Sequence, residues 1–322
     1  MILLTGATGF LGKNFVFEHT KKLPIKILVR RTSDISIFKN NPFIYITYGN
    51  LTESESLDSA FDGVKVVIHC AARITGRNFT EFYRANVLAT INLVQAMKRN
   101  KINKLLFISS QSAGGPGSPD KIVNEFDLAQ PISFYGLSKK MAEDIVIKSE
   151  LQYMILRPCS VYGPYDFEIL KFIKLLKNRV YPFIGSDKKY VNLIYVKDLT
   201  RLMQKIVGES VFKQKIYYVS DGVCYQYDEI IREICRILNK SYCIKINIPA
   251  SFAFIFGLLN DLFLSEKRRL IGFDKVREMS NDFWICQGTE IHKEIDWKPE
   301  YTLKMGMEQT IKWYKDNGYL KS

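Results

Sequence analysis

Thr5-Gly6-Ala7-Thr8-Gly9-Phe10-Leu11-Gly12 follows the apolar run Met1-Ile2-Leu3-Leu4. It precedes a segment, Lys13 to Lys22, in which Phe15, Val16 and His19 recur at roughly helical spacing. Strand, glycine turn, helix is the context in which such a turn carries meaning. Gly6 lets the chain leave the strand. Gly9 lets a pyrophosphate approach bare backbone, and Gly12 lets the helix lie close on the sheet. The free N–H groups and the dipole at the helix start favour an anion there. A plain strand–helix connection could use the same turn, so its meaning rests on matching parts further along the chain.

The chain has 322 residues, 47% apolar and 13% aromatic, enough for one large domain or two intimate ones. Its net charge is +13. The lysines are scattered, which suits a solvated surface better than a nucleic-acid face. Cys70, Cys159, Cys224, Cys235, Cys243 and Cys286 form no CxxC pair, as expected of a reducing cytoplasm. His19, His69 and His292 offer no metal-ligand spacing, so no metal site is expected. With a strand starting at the first residue, no signal peptide is expected. The longest apolar run, Phe252 to Leu264, is interrupted by Asn260 and Asp261 and is too short to span a bilayer. It could lie on a membrane or in a partner groove; a buried or pocket-lining helix is the expectation, and membrane association is not.

Ile25 to Val29 reads as a second strand ending at Arg30-Arg31-Thr32-Ser33-Asp34. Dinucleotide folds often place an acidic residue near here for the ribose hydroxyls of NAD. Two arginines suit the 2′-phosphate of NADP, so NADP is preferred over NAD. Phe43 to Thr47 is a third strand. Val64 to Cys70 is a buried one, followed by the small pair Ala71-Ala72. Leu105 to Ile108 is another, ending in Ser109-Ser110-Gln111-Ser112. This alternation predicts an α/β protein with a doubly wound parallel sheet of the Rossmann type.

Phe134-Tyr135-Gly136-Leu137-Ser138-Lys139 opens a helix running to about Lys148. Tyr135 and Lys139 are four apart and share a face. A phenol has a pKa of about 10 and is a poor base at neutral pH. A neighbouring ammonium lowers that value. Tyr135 could then exchange a proton with a substrate hydroxyl while a nicotinamide cofactor exchanges hydride. A hydroxyl at the Ser109-Ser110 strand end could hold the substrate oxygen.

These features resemble the extended short-chain dehydrogenases/reductases, the NAD(P)-dependent epimerase/dehydratase superfamily. The resemblance rests on Gly6-Gly9-Gly12, Gly49-Asn50-Leu51, Cys70-Ala71-Ala72, Asn86, Ser109-Ser110, Tyr135 with Lys139, and Arg157-Pro158-Cys159-Ser160-Val161-Tyr162-Gly163-Pro164. Leu193 to Asp198 and Trp297-Lys298-Pro299 to Trp313-Tyr314 extend it over nearly the whole chain. It implies that Ser110 binds the reacting oxygen and that Tyr135 is the acid/base. It implies that Lys139 lowers the pKa of Tyr135 and binds the nicotinamide ribose. Gly6, Gly9, Phe10, Leu11 and Gly12 would hold the pyrophosphate, and Arg30, Arg31, Asn50 and Leu51 the adenosine end. Ala71, Ala72, Ser109 and Pro158 would flank the ribose and nicotinamide.

Within the family, sugar-nucleotide dehydratases follow the serine with an Asp-Glu pair; here Gln111-Ser112 follow, so dehydration is not expected. Sugar-nucleotide epimerases commonly have Asn where Ser160 stands and a diphosphate-binding Arg near Val191. The Ser-Ser-x-x-Ala-Gly-Gly-Pro loop is more similar to the branch acting on hydroxysteroid- and dihydroflavonol-like alcohols. The expectation is therefore an NAD(P)-dependent oxidoreductase interconverting a secondary alcohol and a ketone. A nucleotide-sugar epimerase with tightly bound NAD is the first alternative, and a non-catalytic dinucleotide-binding sensor or scaffold the second. Residues 1–164 would bind the cofactor, their sheet completed by about 191–220, where Val191 to Val196 returns to it. Residues 165–190 and 221–322 would form an interleaved substrate-binding part. The resemblance implies a homodimer through the helices holding Asn86 and Tyr135, a small-molecule substrate, and no nucleic-acid partner.

Overall fold

The computed structural model describes residues 1–20, 23–185, 188–264 and 271–321. Seven parallel strands form its central sheet: β1 (Ile2–Thr5), β2 (Ile25–Val29), β3 (Ile44–Tyr48), β4 (Val66–His69), β5 (Lys104–Ile108), β6 (Gln152–Pro158) and β10 (Lys215–Val219). Their order is β10-β6-β5-β4-β1-β2-β3. The chain winds outward from β1 in one direction and from β4 in the other. Such a switch point opens a crevice at the carboxyl ends of the strands. Every residue of β4 is buried, because helices cover both faces of the sheet.

On one face lie α1 (Phe10–His19) and α7 (Val196–Gly208), which meet through a core that includes Phe15, Val16, Leu199, Leu202 and Met203. On the other lie α3 (Ala89–Arg99) and α5 (Phe134–Ile147), burying Leu93, Met97, Ala142 and Val146. The short α2 (Phe79–Phe82) runs into α3 through a π-helical turn, Tyr83–Leu88, which holds Asn86. Asn86 Nδ2 donates to Ser138 Oγ at 2.8 Å and to Arg73 O at 3.0 Å, tying that turn to α5. A one-turn α4 (Gln111–Gly114) follows β5.

The strand at Tyr190–Tyr195 (β9) does not return to the central sheet. It pairs with β7 (Ser160–Tyr162), β11 (Cys224–Gln226) and β13 (Phe283–Trp284) in a separate small sheet. Lys215–Val219 alone completes the central sheet from this part of the chain. An apolar β-branched run announces a buried strand without saying which sheet buries it. Here Tyr162, Leu193 and Tyr195 pack into a second core with α6 (Phe167–Lys177), α8 (Tyr227–Ile237) and α12 (Leu303–Asp316). β8 (Val180–Ile184) and β12 (Ile244–Ile248) make a two-stranded parallel ribbon. Beside it pack α9 (Ala250–Phe263) and α10 (Phe273–Met279), and α11 (Glu290–Glu294) lies against β10. The Cys235 and Cys243 sulfurs lie 2.6 Å apart, a proximity that their sequence spacing did not signal.

Candidate active site

The glycine turn has the geometry its spacing implied. Gly6 is left-handed (φ 76°), and a Cβ on it would stand 2.6 Å from Ala71 N. A Cβ on Gly12 would stand 2.2 Å from Gly6 O, so α1 can sit this close to the turn only with glycine there. A Cβ on Gly9 would meet only Gly6 O, at 3.3 Å, and otherwise open space. That opening at the head of α1 is the cradle a pyrophosphate fits. Ala71 and Ala72 follow β4 directly, and Ala71 N donates to Thr5 Oγ1 at 3.3 Å.

A cavity of about 450 Å³ lies beyond the ends of β2 and β3, lined by Arg30, Arg31, Tyr48, Asn50 and Glu53. The Arg31 guanidinium stands 5.4 Å over the Tyr48 ring. Asn50 is occupied with its own loop: Nδ2 donates to Glu53 Oε1 at 2.7 Å, and Oδ1 accepts from Thr52. Leu51 does not line this cavity; its carbonyl accepts from Asn92 Nδ2 at 2.8 Å. Glu53 was not foreseen from the sequence, since a lone glutamate in a polar loop gives no signal.

A second cavity, about 560 Å³, brings together Phe10, Ser110, Gln111, Tyr135 and Pro158 with residues far along the chain, including Lys189, Asp274 and Glu278. Its size suits a small-molecule ligand. Ser110 caps α4, accepting from Ser112 N at 3.2 Å, and its hydroxyl shares the cavity wall with the Tyr135 phenol. Burial pushes the phenol pKa above its ordinary value; the Ser110 hydroxyl opposes this, and the Glu278 charge adds to it. The groups that act on the phenol here are thus its burial, Ser110 and Glu278. Lys139 is fully buried, its Nζ donating to Ile108 O at 2.8 Å and standing 4.2 Å over the Phe107 ring. Burial pulls the Lys139 ammonium down to about 8, against Glu143 and Cys70, which raise it.

Ser109 turns away from the cavity. Its hydroxyl donates to Glu143 Oε1 at 2.5 Å, within a buried cluster in which Arg157 grips Glu143 through Nε (2.9 Å) and Nη2 (2.7 Å). Tyr135, Lys139 and Glu143 are spaced by four along α5, a signal that could have found Glu143. No sequence signal pointed to α10. Asp274 accepts from Phe134 N (2.6 Å) and Tyr135 N (3.1 Å), and Glu278 accepts from Ser133 Oγ at 2.9 Å. Both carboxylates thus hold the first turn of α5 where its N–H groups lack helical partners. The buried amide nitrogen of Gln111 has no partner beside Ser110. His69 is a core residue, bonded to Thr5 and Thr90; burial drops its pKa to about 3 and keeps the ring neutral.

The model of the NAD dependent epimerase/dehydratase family matches residues 2–219, two thirds of the sequence. The chain belongs to this family. Its relatives include the UDP-glucose 4-epimerase of Vibrio cholerae, 26% identical over 96% of this chain and 94% of that protein. A ceramide reductase of Caulobacter vibrioides is 25% identical over 99% of this chain and 96% of that protein. The structure of the dTDP-glucose 4,6-dehydratase of Bacillus anthracis, in complex with NAD, superposes with a TM-score of 0.78. It is 20% identical and covers 98% of this chain and 96% of that one. The Rossmann-type sheet and the glycine cradle are thus those of a nicotinamide-dinucleotide enzyme of the epimerase/dehydratase family. Among the described residues no helix is long and apolar enough to cross a membrane.

Proposed function

We propose that this family member interconverts a secondary alcohol and a ketone, with Tyr135 as acid/base, Ser110 as the group that holds the reacting oxygen, and Lys139 as the nearby cation. The observation that carries this reading is that Ser110 and Tyr135 meet on the wall of one ligand-sized cavity, with Lys139 buried one helical turn away. When bound, the dinucleotide supplies or accepts the hydride. Gly6, Gly9, Phe10, Leu11 and Gly12 would hold its pyrophosphate, and Ala71, Ala72 and Pro158 would flank its reactive end. Asn50 and Leu51 shape the adenosine end through their loop. Ser109 serves the reactive, nicotinamide end indirectly, by fixing Glu143.

In the reducing direction the Tyr135 phenol, protonated at neutral pH, is the acid for the forming alkoxide. Ser110 orients the oxygen toward it. In the reverse direction the Lys139 charge stabilises the phenolate that must form. Arg30 and Arg31 on the rim of the adenosine cavity support NADP over NAD; Glu53, on the same rim, opposes a 2′-phosphate, and two cations outweigh one anion.

A nucleotide-sugar epimerase is the second reading. Asp166, Glu168, Lys171, Lys189, Asp274 and Lys275 give the otherwise largely apolar cavity a charged side that a hydroxylated substrate could use. The name of the Vibrio relative supports this reading. Residues 1–164 with β10 would carry the cofactor, and 165–190 with 221–322 the substrate. The proposed homodimer would form through α3 and α5, where Tyr83, Leu137 and Ile147 are exposed.

The deciding experiment identifies the dinucleotide released when the extensively dialysed protein is denatured. Near-stoichiometric NAD favours the epimerase, whose internal redox needs a cofactor that stays bound between half-reactions. A protein free of dinucleotide that then binds NADPH better than NADH favours the net reductase. Full turnover of a true substrate by Tyr135→Phe would end both catalytic readings.

A further inference from the structure

α9 is built inside out. A surface helix ordinarily buries its apolar stripe and shows polar residues to water. Here the buried positions are Ala253, Gly257, Asn260 and Asp261. Phe252, Ile255, Phe256, Leu258, Leu259, Leu262 and Phe263 are exposed, Phe263 by 78%. The expectation of a buried or pocket-lining helix is overturned: no residue of α9 lines the cavity. The orientation is fixed by specific bonds. Asn260 Nδ2 donates to Ile271 O at 3.0 Å, and Asp261 Oδ2 accepts from Phe273 N at 2.7 Å. Gly257 lies so close to α10 that a Cβ there would stand 3.0 Å from Phe273 N. Rotating the helix to hide its apolar face would break these bonds and drive bulky side chains into α10.

Seven large exposed apolar side chains on one fourteen-residue helix are a cluster, unlike the scattered single ones that soluble monomers ordinarily expose. Its only acidic residue, Asp261, is buried. At the carboxyl end of α9 stands Arg77, whose Nη2 donates to Leu264 O at 3.4 Å. A second copy seated on this face would bring together two molecules that each carry +13. An anionic lipid surface is complementary in both respects: hydrocarbon for the apolar face, phosphate for Arg77 and the net positive charge.

We propose that α9 is a bilayer-surface anchor, lying in the interface of an anionic membrane with its apolar face in the acyl boundary. At fourteen residues it is far too short to span, and its length suits an interfacial helix. α10 joins the anchor to the site, packing on α9 while Asp274, Lys275 and Glu278 line the substrate cavity. Docking therefore places the cavity beside the headgroup layer. Where the hydride-transfer reading holds, the substrate class is an amphiphile whose polar head carries the reacting carbon.

The test uses the full-length chain and sedimentation with vesicles, read without turnover, so its failure leaves the hydride-transfer reading intact. One vesicle is phosphatidylcholine alone; the other is seven parts phosphatidylcholine to three parts phosphatidylglycerol. Wild type is expected to sediment with the anionic vesicles, less so as salt rises. Phe252→Gln/Phe263→Gln, which alters only exposed side chains, is expected to partition at least about tenfold more weakly with an unchanged circular dichroism spectrum. Failure of wild type to sediment with anionic vesicles would overturn the anchor. So would a double variant that binds vesicles as before but shifts from dimer to monomer on size exclusion, since a second copy would then be the occupant.

Discussion

The Asp274 carboxylate accepts hydrogen bonds from the backbone N–H groups of Phe134 and Tyr135, at 2.6 and 3.1 Å. A residue 139 positions downstream therefore sets where the Tyr135 helix begins, and with it where the phenol stands relative to Ser110. Asp274→Ala leaves those N–H groups without their partner. It is expected to cost about 1–2 kcal/mol of stability, the worth of a helix cap. It is also expected to lower kcat more than it raises KM, because misplacing the acid harms the chemical step first. Urea denaturation beside steady-state kinetics would check both; a wild-type kcat in a destabilised protein would show that α10 only stabilises.

Lys139 couples activity and stability to pH in opposite directions. Burial lowers its pKa to about 8 from an ordinary 10.5. Between those values the unfolded chain binds more protons than the native one, so Lys139 makes stability rise with pH there and fall as pH drops through about 8. Activity should do the reverse, declining above about pH 8 as the cation that supports the Tyr135 phenolate is lost. Lys139→Met should remove the rise in stability and reduce kcat/KM by roughly 10²–10³-fold. Thermal melts and kcat/KM across this pH range would expose any parallel movement, which would contradict the assignment.

The Arg157–Glu143 pair is 3% and 0% exposed, with Ser109 and Tyr218 completing its bonds. Glu143→Gln keeps the shape and removes one charge, stranding a buried guanidinium. The expected loss is about 3 kcal/mol. A shift in the denaturation midpoint much smaller than this would mean that water reaches the pair.

Gln111 lines the cavity next to Ser110 with its buried amide nitrogen unpartnered. The expected role is to donate to a substrate oxygen. Gln111→Ala should raise KM about three- to tenfold, the worth of one neutral hydrogen bond, and leave cofactor affinity unchanged. A rise in the cofactor Kd would instead place the amide in the dinucleotide site.

Local chemistry made the frame of this protein legible. Gly12 had to be glycine for a reason that acts within a dozen residues, and Gly6 takes a left-handed turn. The buried strands β4 and β5 declared themselves by composition, and Tyr135 and Lys139 share a face through helical periodicity alone. What the sequence could not show depends on where distant segments meet. An apolar run is the same string whether its sheet is the central one or a small one, so β9 was placed in the wrong sheet. An apolar helix is the same string whether buried or bare, and α9 faces outward because Asn260 and Asp261 bond to residues beyond its end. Nothing in the sequence singles out Asp274 or Glu278. By itself the sequence determined a dinucleotide cradle with a Tyr–Lys pair behind it, because those contacts are short-range. Only the tertiary structure decided which carboxylates hold the Tyr135 helix, which amide is left unpartnered beside the cavity, and which apolar face is left exposed, because each depends on packing between parts of the chain far apart in sequence.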